Sequence, residues 1–337
     1  MTERILIIGP AWIGDMVMAN ALFRYLKHCS PQREIHVLAP AWSLPLLERM
    51  PPVDRAIPIK LGHGELKLWY RYQLARDLRQ YAYQQAIVLP RSYKSALIPF
   101  WAKIPRRSAW SGQGRWRLIN DARPLDKKAL PLMVQRYLAL ADASPDVLAS
   151  IDLWHPQLRG NASKTDEIRT RFGLDADRPL LALCPGAAYG PAKRWPTQHF
   201  ATLANELLAQ NWQIALLGST EDKLLANEIQ QATASRCIDL IGNTKLGEAI
   251  DCLALTDCVV TNDSGSMHVA AALGRPLIAV YGSSSPGYTP PLSNQAHILS
   301  LNLACSPCFK RECPFGHLNC LQQLMPDQVL GIIHRLF

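Results

Sequence analysis

Short runs of Ile, Leu and Val recur along the chain at 4–9, 34–39, 56–59 and 86–89, and again at 180–184, 213–218, 237–241, 258–261 and 277–281. Helix-length amphipathic segments lie between them, at about 16–28, 44–50, 66–81, 93–101 and 132–141 and then at 197–210, 223–233, 246–255 and 266–273. This alternation limits the fold severely. Continuous apolar runs suit strands covered on both faces, and neighbouring parallel strands need a crossover helix between them. Each half therefore reads as a doubly wound α/β unit with a parallel sheet, and 337 residues suffice for two cores. At 143–159 the periodicity dissolves into a Pro- and Asp-containing stretch, which predicts a linker. The expected domains are 1–155, 156–325 and a C-terminal helix over 326–337. In open α/β sheets ligands gather beyond the carboxyl ends of the strands, and two such domains are expected to face a cleft, so the strand-end loops should carry function.

No apolar stretch reaches the roughly 18–20 residues of a membrane helix, and the opening residues lack a signal-peptide pattern. The expectation is a soluble cytoplasmic protein whose 9 cysteines are thiols or metal ligands rather than disulfides. Lys and Arg number 36 against 27 Asp and Glu, a formal charge of +9 that implies an acidic partner: nucleic acid, anionic lipid or a phosphorylated substrate. No RNP, KH or helix-turn-helix signature supports the first of these.

Three strand-end loops stand out. Gly9-Pro10-Ala11-Trp12-Ile13-Gly14-Asp15 leads into a helix, and Asp15 is there either a helix cap or a reactive carboxylate. The loop is not GxGxxG, so a dinucleotide fingerprint is not supported. In Cys184-Pro185-Gly186-Ala187-Ala188-Tyr189-Gly190-Pro191-Ala192-Lys193-Arg194-Trp195-Pro196, glycines and two cations precede a helix, which suits either anion binding or solvated charge. In the third, Asn262-Asp263-Ser264-Gly265 turns from a buried strand into a helix of small residues carrying His268. Such a helix can present its first-turn amides to a phosphate, while Asp263 read singly is a cap and His268 a core histidine. Asp175-Ala176-Asp177 has the form of a glycosyl-transfer metal motif but lies before a strand rather than after one, and it reads as a turn.

The segment 91–117 holds Arg91, Lys94, Lys103, Arg106, Arg107, Arg115 and Arg117 without an acidic residue, interleaved with Tyr93, Phe100, Trp101, Trp110 and Trp116. Aromatic bodies with cationic tips suit an anionic membrane surface or phosphorylated glycolipid, and equally a nucleic-acid groove. Farther on, Cys305, Cys308, Cys313 and Cys320 fall within a short segment. Four such thiolates can close a structural zinc site; free thiols and disulfides are the alternatives.

Together GPAWIGDMVM, LAPAW, ERMP, LGHGEL, KSALIPF, LINDARPLD, CPGAAYGPAKRWP and TNDSGSMHVAAAL resemble the ADP-heptose–lipopolysaccharide heptosyltransferases over nearly the whole chain. Those are inverting enzymes of GT-B architecture, with two Rossmann-like domains. The LGHG and PAW elements point to the members that add the second heptose. The resemblance implies that Asp15 is the general base toward a hydroxyl on the first heptose of heptosyl-Kdo2-lipid A. It implies that Lys193 contacts the donor diphosphate and that Gly14, Gly186, Gly218, Ser219, Asp263, Ser264, Gly265 and His268 surround ADP-heptose. An inverting displacement needs one base, and lysine with helix amides would stabilise the leaving ADP without a catalytic metal, so any metal is expected to be structural zinc. Lys94, Arg106, Arg107, Arg115 and Arg117 are then expected to meet the anionic acceptor, with the enzyme peripheral at the cytoplasmic face of the inner membrane and no nucleic acid as partner. A GT-B nucleotide-sugar epimerase and a noncatalytic nucleotide- or RNA-binding protein are the competing classes. The basic-aromatic segment argues against the first.

Overall fold

The computed structural model describes residues 3–62 and 64–337; His63 of the LGHG element lies outside them. In the first unit, Met1–Gln157, the order is β1 (Arg4–Ile8), α1 (Ile13–Cys29), β2 (Glu34–Pro40), α2 (Leu44–Leu47), β3 (Arg55–Ile59), α3 (Leu68–Leu78), β4 (Gln85–Val88), α4 (Leu97–Trp101), β5 (Arg106–Trp110), β6 (Asp121–Arg123), α5 (Met133–Ala139) and α6 (Pro145–Ala149). The strands are parallel and lie in the order β3-β2-β1-β4-β5-β6.

The second unit, Leu158–Phe337, runs α7 (Thr165–Phe172), β7 (Leu180–Cys184), α8 (Thr197–Ala209), β8 (Gln213–Leu216), α9 (Lys223–Ala232), β9 (Ile238–Asp239), α10 (Leu246–Ala254), β10 (Cys258–Asn262), α11 (Gly265–Ala272), β11 (Leu277–Val280), β12 (Ala296–Leu299), α12 (Asn319–Gln322) and α13 (Pro326–Leu336). Its parallel sheet is ordered β12-β11-β10-β7-β8-β9. Counted from its own first strand this repeats the first sheet. In each unit the strand order reverses between the first and fourth strands, β1 and β4 or β7 and β10, the point beyond whose carboxyl ends open α/β sheets generally bind ligands.

The central strands are apolar because helices cover both faces. Leu180 through Cys184 and Cys258 through Asn262 are buried at every position. Met16, Leu22 and Phe23 of α1 are buried in the first unit, and Trp195 and Phe200 are buried in the second. The C-terminal α13 belongs to that second core through Val329, Leu330, Ile332 and Ile333. No helix among the described residues is long and apolar enough to cross a membrane.

Six elements lie outside the sequence expectation: β5, β6, β12, α6, α7 and α12. Strand β5 opens on Arg106 and Arg107, β6 has 3 residues, and β12 is a half-exposed edge, so none shows the apolar run of a central strand. The stretch 143–159 is also more than a linker. It contains α6, Trp154 packs edge-on to Tyr25 of α1 at 5.1 Å, and Asn20 accepts the Gln157 N–H at 2.8 Å, so it is fastened to the first unit. Asp175-Ala176-Asp177 is the turn expected, with Asp175 accepting the Asp177 N–H at 2.9 Å.

At the β5–β6 edge, Asp121 gathers Arg106 and Arg123, each at 2.9 Å, and the Ser108 hydroxyl at 2.7 Å. Hydrogen bonding from Arg123, then from Ser108 and Arg106, holds its carboxyl well below the usual range against the opposing effect of burial. A depressed carboxyl contributes stability above the unfolded value of about 3.9, and that contribution is lost as pH falls toward the lower folded value. Asp121→Asn should therefore lower the melting temperature at pH 7 and flatten its decline between about pH 4 and pH 2. Parallel wild-type and variant melting curves across that range would contradict this account of Asp121.

Candidate active site

In the first unit the strand-end loop after β1 is short. Gly9 donates to the Leu38 carbonyl at 2.9 Å, and a side chain there would press on Met16 and Ala39. Helix α1 begins at Ile13 with Trp12 as its N-cap residue, without a side-chain cap bond. Asp15 is thus the third helical residue, not the cap, and its half-buried carboxylate belongs to the first turn, where the helix dipole favours negative charge. Gly14 precedes it.

Around this loop the ends of β1 to β4 form a pocket lined by Gly9, Ala11, Pro40, Trp42, Ile59, Arg71, Ser92, Lys94 and Ser95, among others. Arg71 was not anticipated by the sequence. It is buried, and its guanidinium donates to the carbonyls of Leu66 at 2.6 Å, Glu65 at 3.1 Å and Lys94 at 3.3 Å, fixing the loop after the LGHG element against the loop after β4.

The five cations expected to meet an acceptor divide sharply. Lys94 lines the pocket. Arg117 is exposed and lies over the ring of exposed Trp116 at 4.5 Å. The other three are engaged by the protein's own groups. Arg115 is buried and donates to the carbonyls of Pro90 and Trp110, both at 2.7 Å. Arg107 donates to the carbonyls of Leu118 at 2.7 Å and Ile104 at 2.6 Å. Arg106, at the amino end of β5, pairs with Asp121 at 2.9 Å and Asp142 at 2.8 Å. The run 91–117 lacks acids, but the fold supplies them from beyond it.

In the second unit the loops after β7 and β10 meet. Asn262, fully buried at the end of β10, accepts the Trp195 N–H at 2.9 Å and donates to the Pro185 carbonyl at 2.7 Å, grasping both ends of the β7 loop. This brings Lys193 to Asp263, and the two form an ion pair in which the Asp263 side chain is 5% and that of Lys193 16% exposed. The Lys193 ammonium also lies 5.1 Å from the centre of the Tyr189 ring. His268 is buried on α11, and burial pushes its imidazole down to about 4, against the opposing pull of Asp263. It is therefore neutral near pH 7. Ser264 is the N-cap residue of α11, its hydroxyl 3.3 Å from that of Thr261, and Gly265 is the first helical residue.

Gly186, Gly218 and Ser219 converge on a residue that sequence reasoning missed. Ser219 donates its N–H and its hydroxyl to Asp222, each at 2.9 Å, and side chains at Gly186 or Gly218 would run into that carboxylate. The glycines and serine are thus accounted for by packing around Asp222, a role different from direct donor contact. Nothing in their spacing distinguishes the two; the tie depends on loops from different strands.

In the segment 305–320, Cys305, Cys308 and Cys313 are partly exposed and Cys320 is buried. Backbone amides, Leu318 foremost, lower the Cys313 thiol, whereas burial, then Cys305, Cys313 and Cys308, raises that of Cys320. Among the described residues no group of three or more His, Cys, Asp or Glu is positioned to hold a metal ion.

Comparison with known proteins agrees with two Rossmann-like units. The profile of glycosyltransferase family 9 (heptosyltransferase) matches residues 71–319. The chain is 47% identical to lipopolysaccharide heptosyltransferase 2 of Salmonella typhimurium, covering 99% of this chain and 98% of that one. It is 45% identical to lipopolysaccharide heptosyltransferase 2 of Escherichia coli, with the same coverage. The solved structure of the E. coli ADP-heptose lipopolysaccharide heptosyltransferase II superposes with a TM-score of 0.86 at 43% identity, covering 99% of this chain and 98% of that one. With a family match over most of its length and relatives this similar from end to end, the chain belongs to glycosyltransferase family 9, the heptosyltransferases, and is a glycosyltransferase of GT-B fold.

Proposed function

We propose that this enzyme transfers L-glycero-D-manno-heptose from ADP-heptose, with inversion, onto the first heptose of heptosyl-Kdo2-lipid A in lipopolysaccharide core synthesis. The observation that carries this reading is the end-to-end similarity to the lipopolysaccharide heptosyltransferases 2. In this reading the first unit receives the acceptor and the second the donor. Asp15 takes the proton from the attacking acceptor hydroxyl, whose oxygen bonds to the anomeric carbon as the carbon–oxygen bond to the diphosphate breaks. The electron pair leaves with ADP. Lys193 and the first-turn amides of α11 stabilise the charge that grows on the diphosphate, so no metal is needed for the step. Working on a lipid-borne acceptor, the enzyme acts in the cytoplasm at the inner face of the inner membrane. Lys94 at the pocket and Arg117 on Trp116 are the cations of the earlier five left to meet the acceptor's negative charge.

The test is release of ADP from ADP-heptose with and without a heptose-bearing acceptor; release that ignores the acceptor would sink transfer. Asp15→Asn should lose roughly 10²–10⁴ in rate while ADP-heptose affinity changes no more than a few-fold. Near-normal turnover would leave Asp15 as a first-turn carboxylate and nothing more. Lys193→Ala should weaken donor binding and slow transfer together, and should also lower the melting temperature because Asp263 loses its buried partner. Chelators should leave turnover unchanged over a short assay; a strict requirement for added Mg²⁺ would overturn the metal-free step.

We also propose a structural zinc on Cys305, Cys308, Cys313 and Cys320. The backbone turns at Phe309, next to Cys308, and at Gly316, beyond Cys313, with φ 54° and 73°. Metal binding and ordering of the loop would be coupled. Untagged protein purified under reducing conditions should carry about one zinc per chain, and removing it should lower thermal stability more than it slows turnover. Absence of zinc, with all four thiols alkylated in the native protein, would refute the site.

A further inference from the structure

The segment that contains the four cysteines also reaches the Lys193 loop. Phe309 donates its N–H to the Ser283 carbonyl just past β11 at 2.7 Å, while the Tyr189 hydroxyl donates to the Phe309 carbonyl at 2.8 Å and the Ala192 N–H to the Arg311 carbonyl at 3.0 Å. Gly190 lies directly against Arg311: a Cβ there would stand 3.1 Å from the Arg311 Cα. The register of the two loops is therefore fixed by the main-chain bond from Ala192 to Arg311 and the side-chain bond from Tyr189 to Phe309, while the Phe309 N–H ties the segment to the loop after β11.

That register has an electrostatic result. The Arg311 guanidinium carbon lies 5.5 Å from the centre of the Tyr189 ring, and the Lys193 ammonium lies 5.1 Å from the same centre. One aromatic ring thus holds two cations at the end of the loop. They differ in what else they touch. Lys193 is paired with buried Asp263, so that pair carries no net charge, whereas among the described residues no ion pair engages the exposed Arg311. A nucleoside diphosphate sugar brings two negative charges to this place. A lysine already shared with a carboxylate cannot balance them, and neutral His268 adds nothing near pH 7.

We infer that Arg311 is a second cation of the donor diphosphate site, delivered to the Lys193 loop by the cysteine-containing segment and held there on the Tyr189 ring. This rests on the reading that Lys193 meets the donor diphosphate. A guanidinium suits the task, since its planar fork can hydrogen-bond two phosphate oxygens at once while its face stays on the ring. Because the ring and not a carboxylate holds the side chain, no competing anion has to be displaced when the diphosphate arrives.

The experiment is calorimetric titration of the full-length protein with ADP, then with AMP, for wild type, Arg311→Ala, Arg311→Lys and Lys193→Ala, with the melting temperature of each. Arg311→Ala should weaken ADP binding about tenfold, AMP binding much less, and the difference should shrink at high salt. Arg311→Lys should recover part of the loss. Melting temperatures of both Arg311 variants should match wild type, since the structural bond of Arg311 uses its main-chain carbonyl. If Arg311→Ala binds ADP like wild type while Lys193→Ala does not, Arg311 has no part in the site and the donor reading stands. A loss that Arg311→Lys does not relieve, or that accompanies a lower melting temperature, would make Arg311 a structural residue and overturn the inference. Wild-type protein that fails to bind ADP would overturn the donor reading and this inference together.

Discussion

The loop after β7 is held to the end of β10 by the buried side-chain amide of Asn262, and the arrangement of the second unit's candidate site depends on it. A carboxamide carries a donor and an acceptor on one rigid group, so Asn262 can take the Trp195 N–H and give to the Pro185 carbonyl at once. An aspartate there could accept but not donate, and a leucine could do neither. With both ends of the loop fixed, Lys193 is placed against Asp263. Buried polar groups of this kind have few alternatives, because a donor or acceptor left without a partner in the interior costs about 1–3 kcal/mol. The same logic extends outward. Asp222 draws Ser219, Gly186 and Gly218 around one carboxylate, and the 305–320 segment bonds to the far side of the Lys193 loop.

Positive charge in this protein does two jobs that composition cannot separate. A guanidinium offers several coplanar donors and is well suited to collecting backbone carbonyls where loops converge, since carbonyls at strand and helix ends otherwise lack partners. Arg71 and Arg115 do this from buried positions, and Arg107 does it on β5, next to the edge strand of the first sheet. Their charge is spent on the fold. Lys94 at the pocket, Arg117 on an exposed tryptophan and Arg311 on Tyr189 are instead among the cations placed toward strand-end loops or open surface. The formal charge of +9 therefore overstates how much basic surface is available to an acidic partner.

Much of the architecture is legible in the sequence, and for a physical reason. The central strands β1, β7 and β10 are buried on both faces, so each must be an apolar run, and the helices between them must carry an apolar stripe. The loops that follow these strands carry Gly, Pro, Asp and Lys, which made Asp15, Lys193 and Asp263 visible as candidates. Strands at or next to the sheet edges obey weaker rules. The polar start of β5, the brevity of β6 and the half-exposed β12 leave no periodic signal, and those strands exist because neighbouring strands offer their hydrogen bonds.

The sequence by itself determined the two-unit α/β plan, the family to which the chain belongs and the strand-end loops in which chemistry is to be sought. Only the tertiary structure decided which charges are committed. That Arg106 is matched by Asp121 and Asp142, that Asp15 lies inside the first turn and not at its cap, that Lys193 shares Asp263, and that Gly186 and Gly218 make room for Asp222 all follow from contacts between residues from separate elements. Periodicity and residue type report how a segment meets water and its own backbone; the partner of a buried charge is set by whichever distant segment the fold brings within a few ångströms, where low dielectric makes pairing decisive.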